Sequence, residues 1–178
     1  VHEPLPGWRL ISLTPHVDSR GVFTELYREE WGQGWQFVQW NAVVSRPNVL
    51  RGVHVHLIHA DYLTLIQGDA TINLKDLRPG SPSYNQVAMV RLTAEVRQAI
   101  YIVPGVAHAF YFHEPSVHVY AVSRYWDGND DLGCRFDDPD LEMVWPTAEP
   151  DLSPRDAALP SLASIRRQMP AYQPTSES

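Results

Sequence analysis

The chain has 178 residues, a formal net charge of −7 and one cysteine, Cys134. The negative charge argues against nucleic acid as a general partner, because contact with phosphate backbones needs a basic face, although one small phosphorylated ligand needs only a few local arginines. One cysteine excludes an intramolecular disulfide in this sequence, and no run of residues resembles a signal peptide or approaches the ~20 apolar residues of a membrane span. We therefore expect a cytoplasmic protein without a membrane or nucleic-acid partner.

Short runs rich in β-branched and aromatic residues follow one another along most of the chain. Breakers containing Pro, Gly or Asn separate them, such as Arg46-Pro47-Asn48 and Pro104-Gly105. Short strands with turn signals between them are typical of a sandwich or a barrel. The predicted strands span residues 22–27, 37–44, 53–56, 62–66, 70–74, 87–92, 99–103, 109–112 and 117–125.

Helical signals are weak and lie towards the two ends of the chain. Residues 29–34 predict a short helical turn, and residues 154–158 and 162–168 predict short C-terminal helices. The polar segment 171–178 predicts a frayed tail, and residues 1–170 predict a single domain without internal repeats. The predicted fold is all-β, a double-stranded β-helix, which is a cupin-like jelly-roll barrel with short C-terminal helices.

The pattern His54-x-His56-x4-Asp61, followed by Gly68 and later by Gly105-x-x-His108, is the most informative feature of the chain. Residues i and i+2 of a strand face the same side, so the first two histidines point the same way if this stretch is extended. Imidazoles beside a carboxylate can hold a metal ion or move protons. The residues alone leave both chemistries open.

Histidines outside this pattern carry weaker signals. We expect His59 to lie on a loop. We expect His113 and His118, which alternate with apolar residues, to lie at the surface or in an interface. The pair Arg166-Arg167 predicts a solvated helix face.

A set of sequence pieces runs in order from about residue 10 to residue 160. The pieces are Asp18-Ser-Arg20-Gly21-Val-Phe23-Thr-Glu25, Gln39-Trp-Asn41, Leu50-Arg51-Gly52-Val-His54, Asp76-Leu-Arg78-Pro-Gly-Ser81-Pro82, Gly105-Val-Ala107-His108-Ala-Phe110, Tyr120 with Tyr125, Asp138-Pro139, Trp145-Pro146 and Ser153-Pro-Arg155-Asp156. Together they resemble the dTDP-4-dehydrorhamnose 3,5-epimerases, a family of cupin-type jelly rolls.

The resemblance implies an isomerase of deoxysugar biosynthesis that inverts carbons beside the ketone of a nucleotide-linked 4-keto-6-deoxy sugar, as a 3-, 5- or 3,5-epimerase. It places the base that removes the alpha proton at His54, the carboxylate partner of this base at Asp156, and the acid that reprotonates the opposite face at Tyr120. It also implies a homodimer without a cofactor. Substrate contacts are assigned by the resemblance to Arg20, Glu25, Gln39, Asn41, Arg51, His108 and Arg155.

Position 61 departs from the family pattern, because the family has a lysine there and an anion cannot stabilise an enolate. The glutamine of the family motif is also replaced, by His56. The altered segment, residues 54–68, matches the metal-binding cupin pattern H-x-H-x(3,4)-E-x6-G, with Asp61 in place of the glutamate. Asn48 stands where that pattern has an earlier glycine. Asp61 can equally pair with Arg51 or a neighbouring histidine as a structural salt bridge. Two alternatives therefore stay open, a non-catalytic sugar-nucleotide binder and a metal-dependent cupin enzyme with the ligands His54, His56, Asp61 and His108.

Overall fold

A computed structural model describes residues 7–32 and 34–173. In this part of the chain, two five-stranded sheets and a separate two-stranded hairpin account for the strands. The strands are β1 Trp8–Ser12, β2 Pro15–Asp18, β3 Gly21–Thr24, β4 Gln39–Ser45, β5 Leu50–His56, β6 Asp61–Gln67, β7 Asp69–Asp76, β8 Val87–Thr93, β9 Gln98–Ile102, β10 Val106–Phe112, β11 Ser116–Val122 and β12 Asp131–Gly133.

From β4 to β12 the chain crosses from one large sheet to the other at every connection except the β7–β8 hairpin. The first sheet has the order β1-β9-β6-β11-β4 and the second the order β12-β5-β10-β7-β8, while β2 pairs with β3. Neighbouring strands are antiparallel in every paired register. This arrangement confirms the predicted all-β jelly roll.

The main core lies between the two sheets. On β6, Leu63 and Leu65 point inward and meet Ile72 and Leu74 from β7 of the opposite sheet. Phe110 of β10 belongs to the same cluster. Since alternate residues of a strand face opposite sides, Asp61, two residues before Leu63 on β6, also faces the interior.

Two further apolar clusters cover the outer faces of the sheets. Short helices α1 (Pro154–Ala157) and α2 (Leu162–Ile165) lie at the C-terminal end of the chain. Leu162 of α2 packs with Val53 and Val55 on the outer face of the second sheet. On the outer face of the first sheet, Tyr62 contacts the rings of Tyr27 and Phe37 at centroid distances of 5.1 and 5.7 Å.

Three strands escaped prediction, and each has a physical reason. β2 is exposed along its whole length and begins at Pro15, so it lacks the alternation of a half-buried strand. β12 has only three residues and follows a polar loop. β1 lies at the edge of its sheet and has a mixed burial pattern.

The structure describes most of the predicted helical turn at residues 29–34 and the first part of the predicted tail at residues 171–178. A 3-10 turn forms at Glu29–Trp31 inside the predicted helical turn. In the segment predicted to be frayed, the N–H of Tyr172 donates to the carbonyl of Pro79 at 2.9 Å, and its ring lies 5.1 Å from the guanidinium carbon of Arg78. Residues 174–178 lie outside the described residues. Among the described helices, none has the length and apolar character needed to span a membrane.

Candidate active site

A cavity of about 270 Å³ opens at one end of the barrel, between the two sheets. Its walls are formed by every second residue of β4, β6, β10 and β11, by three residues of the bulged strand β5, and by residues of the 57–60 turn, the 126–131 segment and the start of α1. The lining residues are Gln39, Asn41, Val43, Arg51, His54, His56, His59, Asp61, Leu63, His108, Phe110, His118, Tyr120, Val122, Trp126, Asp131, Ser153, Arg155 and Asp156.

A bulge in β5 brings Arg51 and His54 to the same wall although they are three residues apart. The pairing with β10 advances two residues, from His108 to Phe110, while β5 advances three, from His54 to Arg51. Gly52 in the bulge has a φ of +123°, and a Cβ there would lie 2.6 Å from the Cβ of Ala109. Only glycine fits this close approach without displacing a strand.

His54 and Asp156 meet at the mouth of the cavity. The Nε2 atom of His54 lies 2.8 Å from Oδ1 of Asp156, across 102 residues of sequence. The second carboxylate oxygen accepts from the N–H of Gly52 at 3.4 Å, and the N–H of Asp156 donates to Oγ of Ser153, the N-cap of α1.

The carboxyl group of Asp156 stays ionised at neutral pH. Burial raises its pKa, but the hydrogen bond and charge of His54 and the donors at Gly52 and Ser153 together lower the pKa below its usual range. An anion at this position fixes the imidazole orientation and stabilises its protonated form. The other ring nitrogen, Nδ1, is left to act on a ligand.

Tyr120 lies half-buried on β11, on the same cavity. Burial raises the pKa of its phenol, and the nearby carboxylates of Asp61 and Asp131 raise it further. The hydroxyl is therefore protonated at neutral pH and can donate a proton to a carbanion in the cavity.

The β4 side of the cavity presents amides and one aromatic ring. Nε2 of Gln39 donates to Oδ1 of Asn41 at 3.1 Å, while Oε1 of Gln39 accepts from the backbone N–H of Trp126 at 3.0 Å. Nδ2 of Asn41 is buried and has no hydrogen-bond partner among the described residues. The indole of Trp126 is 61% exposed. This side therefore offers a flat apolar surface to a ligand.

A group of histidines and acids forms the inner wall. Oδ2 of Asp61 lies 3.3 Å from Nε2 of His56 and 3.7 Å from Nε2 of His108. Burial raises the pKa of Asp61 well above its usual range, with the charges of Asp131 and Asp130 adding to the effect. Burial also lowers the pKa of His56, and it lowers the pKa of His108 to about 4.

Two predicted substrate contacts do not reach the cavity of their own chain. Arg20 is on the β2–β3 hairpin, where its side chain is 88% exposed and lies 2.6 Å from Asp18. Glu25 pairs with Arg28 at 2.8 Å. The remaining predicted site residues line the cavity: Gln39, Asn41, Arg51, His54, His56, Asp61, His108, Tyr120, Arg155 and Asp156.

The predicted four-ligand metal set is brought together only in part. His56, Asp61 and His108 have ligand atoms within 4.8 Å of one another. His54 turns its Nε2 to Asp156 instead. Asp61 does not pair with Arg51, whose Nε donates to Oγ of Ser45 at 3.0 Å.

His59 lies on the loop between β5 and β6, as predicted, but its side chain is buried and lines the cavity. The expectation of a surface or interface position for His118 was wrong, since its side chain is also buried and lines the cavity. Nδ1 of His59 lies 2.6 Å from Oδ2 of Asp130, whose other oxygen accepts from two backbone N–H groups of the 57–60 turn. His118 lies against the ring of Phe112 at 5.3 Å. Its parity with Tyr120 on one strand is the signal that would have placed it inside.

Asp131 and Trp126 are further cavity residues that the sequence reasoning missed. Oδ2 of Asp131 lies 2.7 Å from Nη1 of Arg155, and Nε1–H of Trp126 donates to the same carboxylate. Burial raises the pKa of Asp131, but these hydrogen bonds, with the charge of His54, lower it below its usual range. Asp131 begins the unpredicted three-residue strand β12, and Trp126 lies in the loop before it, so no periodic pattern marked them.

The chain is similar to known proteins over nearly its whole length. The family model of dTDP-4-dehydrorhamnose 3,5-epimerase matches residues 2–164. The dTDP-4-dehydrorhamnose 3,5-epimerase of Mycobacterium tuberculosis is 34% identical over 185 residues, covering 96% of this chain and 92% of that protein. The dTDP-4-dehydrorhamnose 3-epimerase of Streptomyces niveus is 34% identical over 165 residues, covering 86% of this chain and 80% of that protein.

Solved structures are similar over nearly the whole fold. The epimerase structure from Mycobacterium tuberculosis superposes with a TM-score of 0.87 at 33% identity, covering 94% of this chain and 90% of that one. A 3'-monoepimerase from Streptomyces bikiniensis, solved in complex with dTDP-quinovose, superposes with a TM-score of 0.85 at 30% identity, covering 94% and 91%.

Proposed function

Since the chain belongs to the dTDP-4-dehydrorhamnose 3,5-epimerase family, we propose that it is an isomerase that inverts carbon centres beside the ketone of a dTDP-linked 4-keto-6-deoxy sugar. The observation that carries the proposal is the pairing of His54 with Asp156 at 2.8 Å, on a cavity that Tyr120 also lines. Epimerisation of this kind needs one base and one acid on opposite faces of a sugar ring, and this cavity supplies both.

His54 is the proposed base. With Nε2 held by Asp156, Nδ1 is the nitrogen that takes the proton from the carbon alpha to the ketone. The electrons of the broken C–H bond move into the ketone to give an enolate, and the positive charge that develops on the imidazole is stabilised by the carboxylate. Imidazole suits this step because its ordinary pKa lies near neutrality.

Tyr120 is the proposed acid. Its phenol returns a proton to the same carbon from the opposite face, and the enolate collapses to the ketone with inverted configuration. The raised pKa of Tyr120 keeps this proton in place until the carbanion forms. Burial is the largest cause of that shift, so the environment that shapes the cavity also prepares the acid.

The nucleotide diphosphate is proposed to lie along the β4 side of the cavity. Arg51 and Arg155 line this cavity, and guanidinium groups bind phosphate oxygens with paired hydrogen bonds. The exposed indole of Trp126 offers a stacking surface for the base.

We further propose that two copies of the chain associate, as the family resemblance implies. Apolar side chains are exposed on the hairpin, with Val17 at 75% and Phe23 at 64%, and on the outer face of β4, with Val44 at 73%. Such surfaces favour contact with another protein. A partner seated there accounts for Arg20, which the resemblance assigns to the nucleotide, since the hairpin of one copy can approach the cavity of the other.

The dimer is tested by sedimentation and by complementation. Phe23→Asp is expected to shift the protein from dimer to monomer, whereas Met89→Asp, at an exposed site on β8 of the other sheet, is expected to keep the dimer. Mixed dimers of Arg20→Ala and His54→Ala chains should regain part of the activity, because one of their two sites is intact. A wild-type monomer at micromolar concentration would contradict the proposal.

The reaction itself is tested by proton exchange in D₂O. With a dTDP-4-keto-6-deoxy sugar, the wild-type protein is expected to incorporate deuterium at C3, at C5 or at both, which also identifies the carbons that it inverts. His54→Ala is expected to abolish this exchange. Binding of the sugar nucleotide without any exchange would instead support the non-catalytic binder.

A metal-dependent enzyme of another cupin class is not favoured by the comparisons, whose relatives are epimerases of keto sugars. The proposed proton transfers are redox-neutral, so they need no nicotinamide or flavin. A cytoplasmic location stays a prediction from the sequence.

A further inference from the structure

The inner wall of the cavity holds a second group of functional side chains, apart from the His54–Asp156 pair. His56 on β5, Asp61 on β6 and His108 on β10 each offer one ligand atom, and these atoms all lie within 4.8 Å of one another. All three side chains are buried. Because the strands belong to both sheets, the barrel framework itself holds the three groups together.

Backbone carbonyls fix which nitrogen of each imidazole faces Asp61. Nδ1 of His108 lies 3.1 Å from the carbonyl oxygen of Val106, and Nδ1 of His56 lies 3.4 Å from that of Asp130. A carbonyl oxygen can only accept, so Nδ1 carries the proton in both rings and Nε2 presents a lone pair. Histidines that bind metals in proteins are commonly oriented in this way, through their second nitrogen.

Three electron-pair donors therefore converge on one point of the wall. Within the described residues, the ion-pair partners of the Asp61 carboxylate are all histidines, and no hydrogen bond reaches it. The arginines of the cavity are engaged elsewhere, Arg51 with Ser45 and Arg155 with Asp131. A buried carboxylate that faces two lone pairs is unfavourable unless a proton or a metal ion lies between them.

We propose that His56, Asp61 and His108 bind one divalent transition-metal ion. In a tetrahedral site with metal–ligand bonds of about 2.0–2.1 Å, neighbouring ligand atoms lie roughly 3.3 Å apart. The carboxylate oxygen of Asp61 lies 3.3 Å from one Nε2 and 3.7 Å from the other, and all three ligand atoms lie within 4.8 Å of one another, so the side chains must close in by at most about 1.5 Å. Two imidazoles and one carboxylate suit Zn²⁺, Fe²⁺, Co²⁺ or Mn²⁺, and three protein ligands leave a coordination position for substrate.

The role of this ion rests on the proposed function. A sugar ketone in the cavity can occupy the open position, where a Lewis acid polarises the carbonyl and stabilises the enolate oxygen. The proton still moves from carbon to His54, and a proton still returns from Tyr120. Because these proton transfers are redox-neutral, the ion keeps its oxidation state. It supplies the positive charge that the Asp61 side chain cannot provide.

Metal binding is measured first, without reference to activity. Chelator-stripped wild-type protein titrated with Co²⁺ is expected to bind one equivalent and to develop visible absorption, with elemental analysis confirming the stoichiometry. Asp61→Asn, which keeps the side-chain size, and His108→Asn are expected to lose at least ten-fold in Co²⁺ affinity. His118→Leu is the matched control, a buried cavity histidine outside the cluster, and should bind as the wild type does. Absence of stoichiometric binding, or wild-type affinity in Asp61→Asn, overturns the inference.

Proton exchange then separates this inference from the proposed function. Stripped protein should lose exchange of the alpha hydrogens in D₂O and regain it with Zn²⁺ or Co²⁺. Full exchange by stripped protein refutes the catalytic role of the metal and leaves the proposed epimerase function intact. Stoichiometric metal binding without exchange refutes the proposed epimerase function and leaves the proposed metal site intact. As a second variant, Asp61→Lys places an ammonium at the same point, and its exchange is expected to persist after chelation.

Discussion

Replacement of Asp156 by asparagine tests the orientation of the proposed base. In the wild-type protein one carboxylate oxygen lies 2.8 Å from Nε2 of His54, and the other accepts from the N–H of Gly52 at 3.4 Å. Asparagine has only one acceptor oxygen. If that oxygen serves Gly52, the amide NH₂ faces His54, so Nε2 must accept and Nδ1 must carry the proton. That tautomer cannot take a proton from the substrate through Nδ1.

The expected loss in rate follows from this choice of tautomer. Positioned general bases contribute about 10²–10⁴-fold, and the wrong tautomer in a comparable His–Asp pair lowers kcat by about 10⁴-fold. We expect Asp156→Asn to slow exchange of the alpha hydrogens by about 10³-fold, or roughly 4 kcal/mol of activation free energy, with little change in KM.

The assay is deuterium incorporation followed by NMR with a dTDP-4-keto-6-deoxy sugar. Asp138→Asn is the matched control, because Asp138 is a buried aspartate that accepts from the N–H groups of Asp140 and Leu162 and has no part in the dyad. It should lower stability and leave kcat unchanged. A loss below ten-fold in Asp156→Asn would refute the proposed role of the carboxylate.

Three other replacements test the acid, the buried histidine and the 57–60 turn. Tyr120→Phe should keep deuterium exchange by His54 with retention of configuration but lose net epimerisation, and retained epimerisation would exclude the phenol as the acid. Burial lowers the pKa of His118 to about 4, so the free energy of unfolding should fall as the pH drops from about 6.5 to about 4, by up to roughly 3 kcal/mol. In urea titrations at a series of pH values, His118→Leu should flatten this pH dependence, while His16→Leu on the exposed hairpin should leave the pH dependence unchanged. An unchanged pH dependence in His118→Leu would contradict the assignment of the effect to His118. Asp130→Ala should lower stability by about 3 kcal/mol, since it leaves two backbone donors and His59 without their acceptor, whereas Asp127→Ala, at an exposed site, should change it by less than about 0.5 kcal/mol.

Much of the fold could be predicted from the sequence, because the long strands are runs of apolar, β-branched and aromatic residues bounded by turn signals. β10 and β11 are of this kind, and the predicted segments 109–112 and 117–125 overlap them. Strands without such a pattern were missed, since β2 is exposed throughout and β12 has three residues. Pairing with neighbours, rather than local propensity, makes these segments extended.

The candidate site was predictable where a residue lies on a regular strand or in a family motif. His54 and Tyr120 are of this kind, and both line the cavity. His118 was misassigned because its apolar neighbours on an alternating strand are compatible with either face, whereas its parity with Tyr120 places it on the cavity face. His59 and Asp130 meet only through the turn after β5, at a separation of 71 residues, so no local pattern could pair them.

A structure of the protein with a bound dTDP-linked deoxysugar tests the central claim most directly. We predict that the sugar ring lies in the cavity with a carbon next to C4 about 3–3.5 Å from Nδ1 of His54, and with the hydroxyl of Tyr120 on the opposite face of the ring. A sugar bound outside this cavity, or both groups on the same face, would contradict the account.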